Sequence, residues 1–259
     1  MMKIAVCGKG GSGKSTIVAL LANEARGKDY KVLVVDSDES NSGLYRMLGF
    51  EHPPVPLMEL VGGKKSLKGK LNQPNILAEG HISLEDISPQ HLARKDGLML
   101  VSIGKILQSL EGCACPMGVL SREFLKKLTL QPDELAIVDM EAGVEHFGRG
   151  VETSIDSVLM VVEPPLESVE VAQKIYYLAQ GMGIRNIWAV LNKATSDDIA
   201  VKVGTALKRQ GIRVIGRLHF DTGLFEASVE GKVPAEGKVA EDIREVLDVI
   251  LSDGAKTIE

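Results

Sequence analysis

A chain of 259 residues can bury the core of a single α/β domain, and we expect one domain over residues 1–259. The formal net charge of −5 argues against a nucleic-acid-binding scaffold. No stretch approaches the roughly 20 apolar residues of a membrane span, and residues 1–16 lack the apolar region of a signal peptide. We therefore expect a cytoplasmic protein that binds neither nucleic acid nor membrane.

Short apolar runs rich in β-branched residues recur along the chain and alternate with helical patterns. The runs predict strands at residues 4–7, 32–35, 98–103, 135–140, 158–162, 187–191 and 214–218. Residues 62–92 interrupt this rhythm with Gly, Lys, Pro and Asn, which predicts loops with one or two short edge strands. The pattern as a whole predicts a doubly wound, mostly parallel sheet flanked by helices, the last of them at residues 240–251.

The most informative segment is GKGGSGKST at residues 8–16, directly after the first predicted strand. Its glycines permit backbone conformations in which successive N–H groups converge on phosphate oxygens at the start of a helix. Lys14 adds a positive charge for the β- and γ-phosphates, and the Ser15 hydroxyl is a Mg²⁺ ligand. The predicted phosphate loop consists of Gly8, Lys9, Gly10, Gly11, Ser12, Gly13, Lys14, Ser15 and Thr16.

Lys9 is a second lysine, at the start of this loop, where an ordinary phosphate loop needs only the later one. The pattern resembles the deviant Walker A branch of P-loop ATPases, which includes partition ATPases, nitrogenase iron protein and metal-insertion ATPases. In that branch the early lysine reaches across to the nucleotide of the partner subunit. The resemblance implies that ATP joins two subunits into a homodimer, with Lys9 and Lys14 both catalytic. The alternative is that Lys9 is a plain surface lysine.

Carboxylates follow two of the predicted strands, at the edge of the sheet where ligands gather. Asp139 is placed like a Walker B carboxylate that holds the Mg²⁺ shell, and the Gly143 N–H is placed to sense the γ-phosphate. Asp38 is the candidate that orients or deprotonates the attacking water, with Asp36 behind it as a magnesium partner. The alternative for Asp36 and Asp38 is capping of a helix at residues 44–48.

The nucleotide base is predicted from Asn192 and Lys193, which follow the sixth strand. A guanine site would need a carboxylate where this chain has Thr195, whereas the amide of Asn192 suits adenine. The cofactors are therefore expected to be ATP or ADP with Mg²⁺. The loop that ends at Asp221 resembles the adenine-side loop of the same branch, but it carries His219 where a proline is usual.

Two of the three cysteines form a Cys-x-Cys pair, Cys113 and Cys115, and the third, Cys7, is predicted to be a buried thiol of the first strand. One pair offers two thiolates, so two subunits related by a two-fold axis would complete a tetrahedral site. Thiolates select Zn²⁺, Cu⁺, Fe–S or, in a four-sulfur field, Ni²⁺. The alternative is a disulfide or idle thiols. Gly112 and Pro116, which flank the pair, are expected to hold it in a turn ahead of a helix at residues 119–128.

With these segments in view, the chain resembles the CooC-type accessory ATPases that insert nickel into carbon monoxide dehydrogenase. The resemblance rests on residues 9–16, 36–38, 112–116 and, above all, 139–150 (DMEAGVEHFGRG). It implies a P-loop NTPase fold like that of nitrogenase iron protein and an ATP-dependent homodimer whose interfacial cysteines hold Ni²⁺ or Zn²⁺. It also implies carbon monoxide dehydrogenase as client, and a switch at residues 141–150. Glu39 departs from the pattern, because a proline often stands there.

Other classes of ATPase remain as alternatives. An electron-donating iron protein needs a second cysteine in its switch, where this chain has Ala142, although the Cys-x-Cys pair could still assemble a cluster. A membrane-protein targeting ATPase of the arsenite-pump type would carry Cys-x-x-Cys and a Met-rich helical insert, and this chain has neither. A partition or positioning ATPase would explain the nucleotide site and leave the cysteines without a role.

Overall fold

The computed structural model of the chain describes residues 2–63, 66, 77, 80–105, 115–144, 146–147, 150, 154–219, 221–233 and 236–256. Its strands are β1 (Met2–Gly8), β2 (Lys31–Asp36), β3 (Ala93–Lys95), β4 (Leu98–Ser102), β5 (Glu134–Asp139), β6 (Ser157–Val162), β7 (Asn186–Leu191) and β8 (Arg213–Arg217). Its helices are α1 (Lys14–Gly27), α2 (Leu44–Met47), α3 (Cys115–Lys127), α4 (Leu166–Gly181), α5 (Asp197–Arg209), α6 (Thr222–Val229) and α7 (Lys238–Lys256), with a 3₁₀ helix at Leu57–Val61.

The eight strands form one sheet in the order β3-β4-β2-β5-β1-β6-β7-β8. Every neighbouring pair is parallel except β3 and β4, which are antiparallel. The strands up to β5 all lie on one side of β1. The later strands β6, β7 and β8 lie on its other side. The loop that follows β1 therefore lies where the direction of strand addition reverses, which is where open parallel sheets bind ligands.

All seven predicted strands are present, and the predicted doubly wound, mostly parallel sheet is confirmed. The edge strand β3 lies just beyond the irregular stretch in which edge strands were expected. The turn predicted at residues 112–116 is wrong at Cys115 and Pro116, because α3 already begins at Cys115, and residues 112–114 lie outside the described residues. A proline fits the first turn of a helix, since the missing N–H has no partner there in any case. The predicted C-terminal helix is present as α7.

The core has two layers, one on each face of the sheet. Successive residues of a strand point to opposite faces, so Ile4 and Val6 pack beneath α1 and α7, whereas Ala5 and Cys7 belong to the layer under α3, α4 and α5. Because both faces are covered, the central strands are apolar along their whole length, as the sequence pattern predicts. None of the helices that the structure describes is long and apolar enough to cross a membrane.

Candidate nucleotide site

The phosphate loop connects β1 to α1, and two of its glycines are required by close contacts or by their backbone angles. Gly8 has φ of 150°, and a Cβ there would lie 2.5 Å from the carbonyl oxygen of Val161. Gly13 has φ of 96°, and a Cβ there would lie 2.5 Å from Nδ2 of Asn192. At Gly8 the close atom is backbone, so a larger side chain would push the loop away from β6; at Gly13 the close atom ends a side chain, and it is the positive φ that favours glycine. The loop is thereby held against β6 and against the residues that follow β7, both on the same side of β1.

The first turn of α1 is suited to an anion. Gly13 is its N-cap, and within this fully described stretch no side chain caps the helix and its first turn has no acidic residue. The N–H groups of this first turn are therefore left without a side-chain cap, at the positive end of the helix dipole. The Lys14 side chain is 6 % exposed, and its Nζ lies 3.5 Å from the carbonyl oxygen of Lys9.

Asp36 and Asp139 end the adjacent strands β2 and β5 in direct register, at the same edge of the sheet as the phosphate loop. The Ser15 hydroxyl donates to Oδ2 of Asp139 at 2.5 Å, and Asn41 Nδ2 donates to the Ser15 hydroxyl oxygen at 2.6 Å. The remaining oxygens, Oδ1 of Asp36 and Oδ1 of Asp139, are buried without a hydrogen-bond partner among the described residues. Buried carboxylate oxygens of this kind require a proton, a water or a cation.

These groups fit Mg²⁺ bound together with a nucleotide. Among the described residues no cluster of three or more His, Cys, Asp or Glu side chains could hold a metal ion by itself. Mg²⁺ is usually held by one or two carboxylates plus substrate phosphates. This site offers two carboxylates, Asp36 and Asp139. Ser15 and Asp139 would hold the ion or its water shell, with Asp36 behind them.

Burial raises the pKa of both carboxyls. The pKa of Asp139 is raised to about 7 chiefly because the group is buried; the hydrogen bond from Ser15 opposes the rise, and the charges of Asp36 and Asp38 add to it. The pKa of Asp36 is raised to about 6, again chiefly by burial, although the charge of Lys105 and its hydrogen bond work in the opposite direction. Two carboxyls that resist ionisation together are the electrostatic signature of a site that receives a cation.

These shifts predict how stability depends on pH when magnesium is chelated. The folded protein keeps protons on Asp139 and Asp36 at pH values where the unfolded chain has lost them, so their stabilising contribution is lost as pH rises through about 6 to 7. Acidification from about pH 7.5 to about pH 5.5 should therefore raise the free energy of unfolding from these groups by about 1 to 2 kcal/mol. Urea denaturation in EDTA at a series of pH values measures this free energy of unfolding. Asp139→Asn should flatten the profile, and an unchanged profile in that variant would contradict the assignment.

Asp38 lies two residues beyond β2 and is 7 % exposed. Its Oδ1 accepts hydrogen bonds from the Ser40 N–H at 2.9 Å and from the Ser40 hydroxyl at 2.6 Å. The helix-capping alternative is wrong, because α2 has Gly43 as its N-cap and, in this fully described stretch, no side-chain cap. The proposed role of Asp38 toward water stays a prediction, and its fixed orientation is compatible with that role.

Lys9 makes an ion pair within its own chain. Its Nζ lies 3.5 Å from Oε1 of Glu163, a carboxylate that follows β6 and is 13 % exposed. The other oxygen of Glu163 lies 3.8 Å from Nζ of Lys193, which also donates to the carbonyl oxygen of Gly11. Glu163 therefore stands between two lysines at the rim of the phosphate loop. For Lys9 to reach a partner subunit, as the sequence predicts, it must leave Glu163.

Asn192 and Gly143 both contact the phosphate loop. Asn192 Nδ2 donates to the Ser12 carbonyl oxygen at 2.8 Å, and its Oδ1 accepts from the Lys193 N–H at 2.9 Å. An amide offers two N–H groups and two lone pairs, so one of each remains for the predicted adenine edge. The Gly143 N–H donates to the Gly8 carbonyl oxygen at 3.1 Å. Sensing of a γ-phosphate by Gly143, which stays a prediction, would require that bond to break.

Asp221 lies where two helices begin. Its Oδ1 accepts from the Leu224 N–H at 3.1 Å in the first turn of α6, and its Oδ2 lies 3.5 Å from the backbone nitrogen of Val239 in α7. Asp221 therefore organises the loop predicted to lie beside adenine, and direct contact with the base stays a prediction.

His219, which lies in this loop of residues 218–221, has a partner that the sequence did not reveal. Its N–H and its Nδ1 lie 2.7 Å and 2.9 Å from Oδ2 of Asp242 on α7. Burial alone would raise the pKa of Asp242, but the backbone and side-chain hydrogen bonds of His219 and that of Lys238 together lower it. The loop that departs from the family pattern at His219 is thus anchored to the last helix.

Sequence reasoning missed Lys105 and Asn41. Lys105 Nζ lies 2.7 Å from Oδ2 of Asp36, and Asn41 donates to the predicted magnesium ligand Ser15. A signal for Lys105 was available, because it follows β4 at the same edge of the sheet as the two aspartates. Asn41 lies in a loop whose path no local pattern specifies.

The site fits a known family of nucleotide-binding proteins. Residues 3–235 match the family described as the CobQ/CobB/MinD/ParA nucleotide binding domain. The chain belongs to this family. It is therefore a nucleotide-binding P-loop protein, and the match includes the phosphate loop described above.

Relatives of this CobQ/CobB/MinD/ParA family member include proteins with and without an assigned role. It is 44 % identical to an uncharacterized ATP-binding protein of Methanocaldococcus jannaschii, over 76 % of this chain and 80 % of the relative. It is 32 % identical to the carbon monoxide dehydrogenase accessory protein CooC of Rhodospirillum rubrum, over 89 % of this chain and 88 % of the relative. The septum site-determining protein MinD of Pyrococcus horikoshii, solved with Mg-ADP, has a TM-score of 0.73 over 96 % of both chains at 16 % identity, which shows a shared fold.

The cysteine pair of this family member lies at the limit of the described residues. Cys113 falls outside them, and Cys115 is described only as the first residue of α3. Cys7 is buried in β1, as predicted. Within the predicted switch at 141–150, residues 145, 148 and 149 also fall outside the described residues. The shared thiolate site therefore stays a proposal.

Proposed function

We propose that this protein is a dimeric ATPase that holds a metal ion between the Cys113 and Cys115 pairs of two subunits and assists nickel insertion into carbon monoxide dehydrogenase. The observation that carries the proposal is the 32 % identity to CooC of Rhodospirillum rubrum along 89 % of the chain. The Cys-x-Cys pair of this chain adds to it, because a partition or positioning role would leave both thiols without a function. The proposed partners are a second copy of the chain and carbon monoxide dehydrogenase.

Hydrolysis of ATP is proposed to follow from the groups around the phosphate loop. Mg²⁺, when bound, neutralises charge on the β- and γ-phosphate oxygens. Lys14 and the N–H groups of the loop orient the phosphates in line with a water held by Asp38. That water attacks the γ-phosphorus, the bond to the bridging oxygen breaks, and the proton of the water passes to the Asp38 carboxylate or to phosphate. Lys9 of the partner subunit would add positive charge to the leaving oxygens once it has left Glu163.

The metal site is proposed to exist only in the dimer. Each subunit supplies two thiolates, and a closed tetrahedral site for Zn²⁺ or Ni²⁺ needs four. ATP is proposed to favour the same dimer through Lys9. Metal and nucleotide would then bind cooperatively, and this cooperativity must be reciprocal. Loss of the γ-phosphate would weaken the dimer and release the metal to the client.

Metal content and oligomeric state of the anaerobically purified protein test this proposal. With a non-hydrolysable ATP analogue, equilibrium dialysis should give about one Zn²⁺ or Ni²⁺ per two chains, the ratio of a shared tetrahedral site. Cys113→Ser and Cys115→Ser should each abolish metal binding and leave nucleotide binding intact. Cys7→Ala is the matched control, since the Cys7 side chain is buried in the core, and it should bind metal as wild type does. One metal per monomer, or binding that survives both serine variants, would return the chain to the class of simple nucleotide switches.

An iron–sulfur role is the second candidate. The chain is 25 % identical to an iron-sulfur cluster carrier protein of Clostridium perfringens over 92 % of its length. Four thiolates at a dimer interface could also hold a cluster. Iron and acid-labile sulfide in the purified protein, with a visible chromophore lost in Cys113→Ser, would favour this candidate, and their absence alongside bound nickel or zinc would exclude it.

A further inference from the structure

The loop that follows β2 carries two groups that the proposed hydrolysis of ATP needs. We call residues 36–41 the aspartate loop; it contains Asp38, the candidate for orienting the attacking water, and Asn41, which donates to the predicted magnesium ligand Ser15. We propose that Lys105 is a positioning residue for hydrolysis, which holds the aspartate loop in its working shape and takes no part in binding the nucleotide. This inference rests on the proposed ATPase activity.

The ammonium group of Lys105 binds the aspartate loop at three points. Its Nζ lies 2.7 Å from Oδ2 of Asp36 and 2.5 Å from the carbonyl oxygen of Asp38, and it also donates to the carbonyl oxygen of Asn41. An ammonium group has three N–H donors, so this one loop uses every donor that Lys105 has. The side chain is 14 % exposed, so water competes weakly for these charge-assisted bonds. The first, third and sixth residues of the loop are thereby tied to one cation.

Beyond β2 the aspartate loop has an irregular backbone, so its carbonyl groups do not receive the hydrogen bonds of a helix or a sheet. Its start is fixed by the neighbouring strand, because the Ser37 N–H donates to the carbonyl oxygen of Asp139 at 3.0 Å. Farther along, the carbonyl groups of Asp38 and Asn41 have Lys105 as a partner. Without the ammonium group these acceptors lose a hydrogen bond, and the loop gains from turning them toward water. Lys105 therefore sets the path of the loop beyond the sheet.

The position of Lys105 predicts an effect on turnover rather than on affinity. Within the described residues its polar contacts are all with the aspartate loop. Nucleotide affinity is expected to come mainly from the N–H groups of the phosphate loop and from Lys14, at the start of α1. A displaced aspartate loop would move Asp38 away from the water it is proposed to orient, and a misplacement of about 1 Å can cost about a hundredfold in rate.

The arrangement of the three bonds separates the charge of Lys105 from its geometry. The ammonium group of lysine is a compact charge with three N–H donors on one nitrogen, whereas the guanidinium of arginine is a planar fork. Three acceptors gathered around a single nitrogen suit the first group and not the second. Lys105→Arg therefore keeps a positive charge beside Asp36 but should not restore the path of the loop.

Steady-state hydrolysis and filter binding of Mg·ADP test the inference. Lys105→Met should lower kcat by about a hundredfold and Lys105→Arg by at least about tenfold, while the Kd of Mg·ADP stays within about threefold of wild type. Lys95→Met is the matched control, since Lys95 is an exposed lysine that donates to the carbonyl oxygen of Gly49, and its kcat should stay within about twofold of wild type. Lys105→Arg keeps the charge beside Asp36, so it decides the inference if Lys105→Met fails to fold.

Two outcomes of these assays would overturn the inference. Wild-type kcat in Lys105→Arg would show that the charge alone suffices and that the loop needs no fixed partner. A loss of Mg·ADP affinity as large as the loss of kcat would show that Lys105 acts on the nucleotide rather than on the loop.

Hydrogen exchange of the protein without nucleotide or magnesium gives a second readout, which does not depend on activity. The Ser40 N–H is bonded to Oδ1 of Asp38, so both Lys105 variants should speed exchange in peptides that cover the aspartate loop by at least about tenfold and leave α1 unchanged. Lys95→Met should exchange as wild type does. If wild type hydrolyses no ATP but exchange responds in this way, the proposed function fails and the positioning of the loop stands. If wild type hydrolyses ATP and both Lys105 variants keep its kcat, the proposed ATPase activity stands and the inference is wrong.

Discussion

Lys14→Ala should lower ATP turnover by about a thousandfold, because a preorganised charge in a site shielded from water is removed from the group where negative charge develops. Lys14 is the buried lysine of the phosphate loop, at the first position of α1, where it adds its charge to the positive end of the helix dipole. No neighbouring cation replaces it in the described structure without moving, since Lys9 and Lys193 are both paired with Glu163. Steady-state phosphate release measures the loss.

Lys202→Ala is the matched control for this experiment. Lys202 is an exposed lysine on α5, so its removal should leave turnover within about twofold of wild type. Full activity of Lys14→Ala would show that catalysis occurs elsewhere. The same assay with GTP tests the base assignment, because equal turnover of ATP and GTP would contradict the adenine preference predicted from Asn192.

Asp38→Ala should lower kcat by about a hundredfold while Mg·ATP still binds, because affinity comes mainly from the phosphate loop and turnover needs a group that orients the attacking water. The protein should therefore accumulate in the ATP-bound state, and if ATP joins the subunits it should accumulate as dimer. Filter binding of labelled ATP, single-turnover hydrolysis and light scattering separate binding, chemistry and assembly.

The contact with Ser40 allows the two roles of Asp38 to be separated. Asp38→Asn keeps an oxygen that can accept from the Ser40 N–H and hydroxyl but loses the negative charge. If the carboxylate acts on water, Asp38→Asn should be nearly as slow as Asp38→Ala, whereas Ser40→Ala should cost only a few-fold. Recovery of activity in Asp38→Asn would instead show that Asp38 serves to shape the loop.

Local sequence signals predicted the strands and the phosphate loop well. A strand buried on both faces must be apolar along its length, so β1, β2, β5, β6 and β7 are visible as short runs of branched residues. Local signals failed at α3, where the glycine and proline around the cysteines predicted a turn and the proline instead occupies the first turn of the helix. The edge strand β3 was harder to place because it is three residues long and only partly buried.

The sequence by itself determined the parts of this protein whose chemistry depends on neighbours in the chain. The glycines and lysines of the phosphate loop lie within nine residues of sequence. The carboxylates Asp36 and Asp139 can be recognised because each directly follows a run of apolar strand residues. The side-by-side register of β2 and β5, which brings those two carboxylates together, is a property of the sheet.

Only the tertiary structure decided which distant side chains meet at this site. Lys105 contacts a residue 67 positions away, and Glu163 holds Lys9 from the end of the neighbouring strand β6. Both residues follow strands at the ligand-binding edge of the sheet, but nothing in their local sequence specifies which side chains they meet. Their partners are selected by strand order and loop path, which depend on how the whole core packs. That packing places the ammonium group of Lys105 against Asp36 at the nucleotide site.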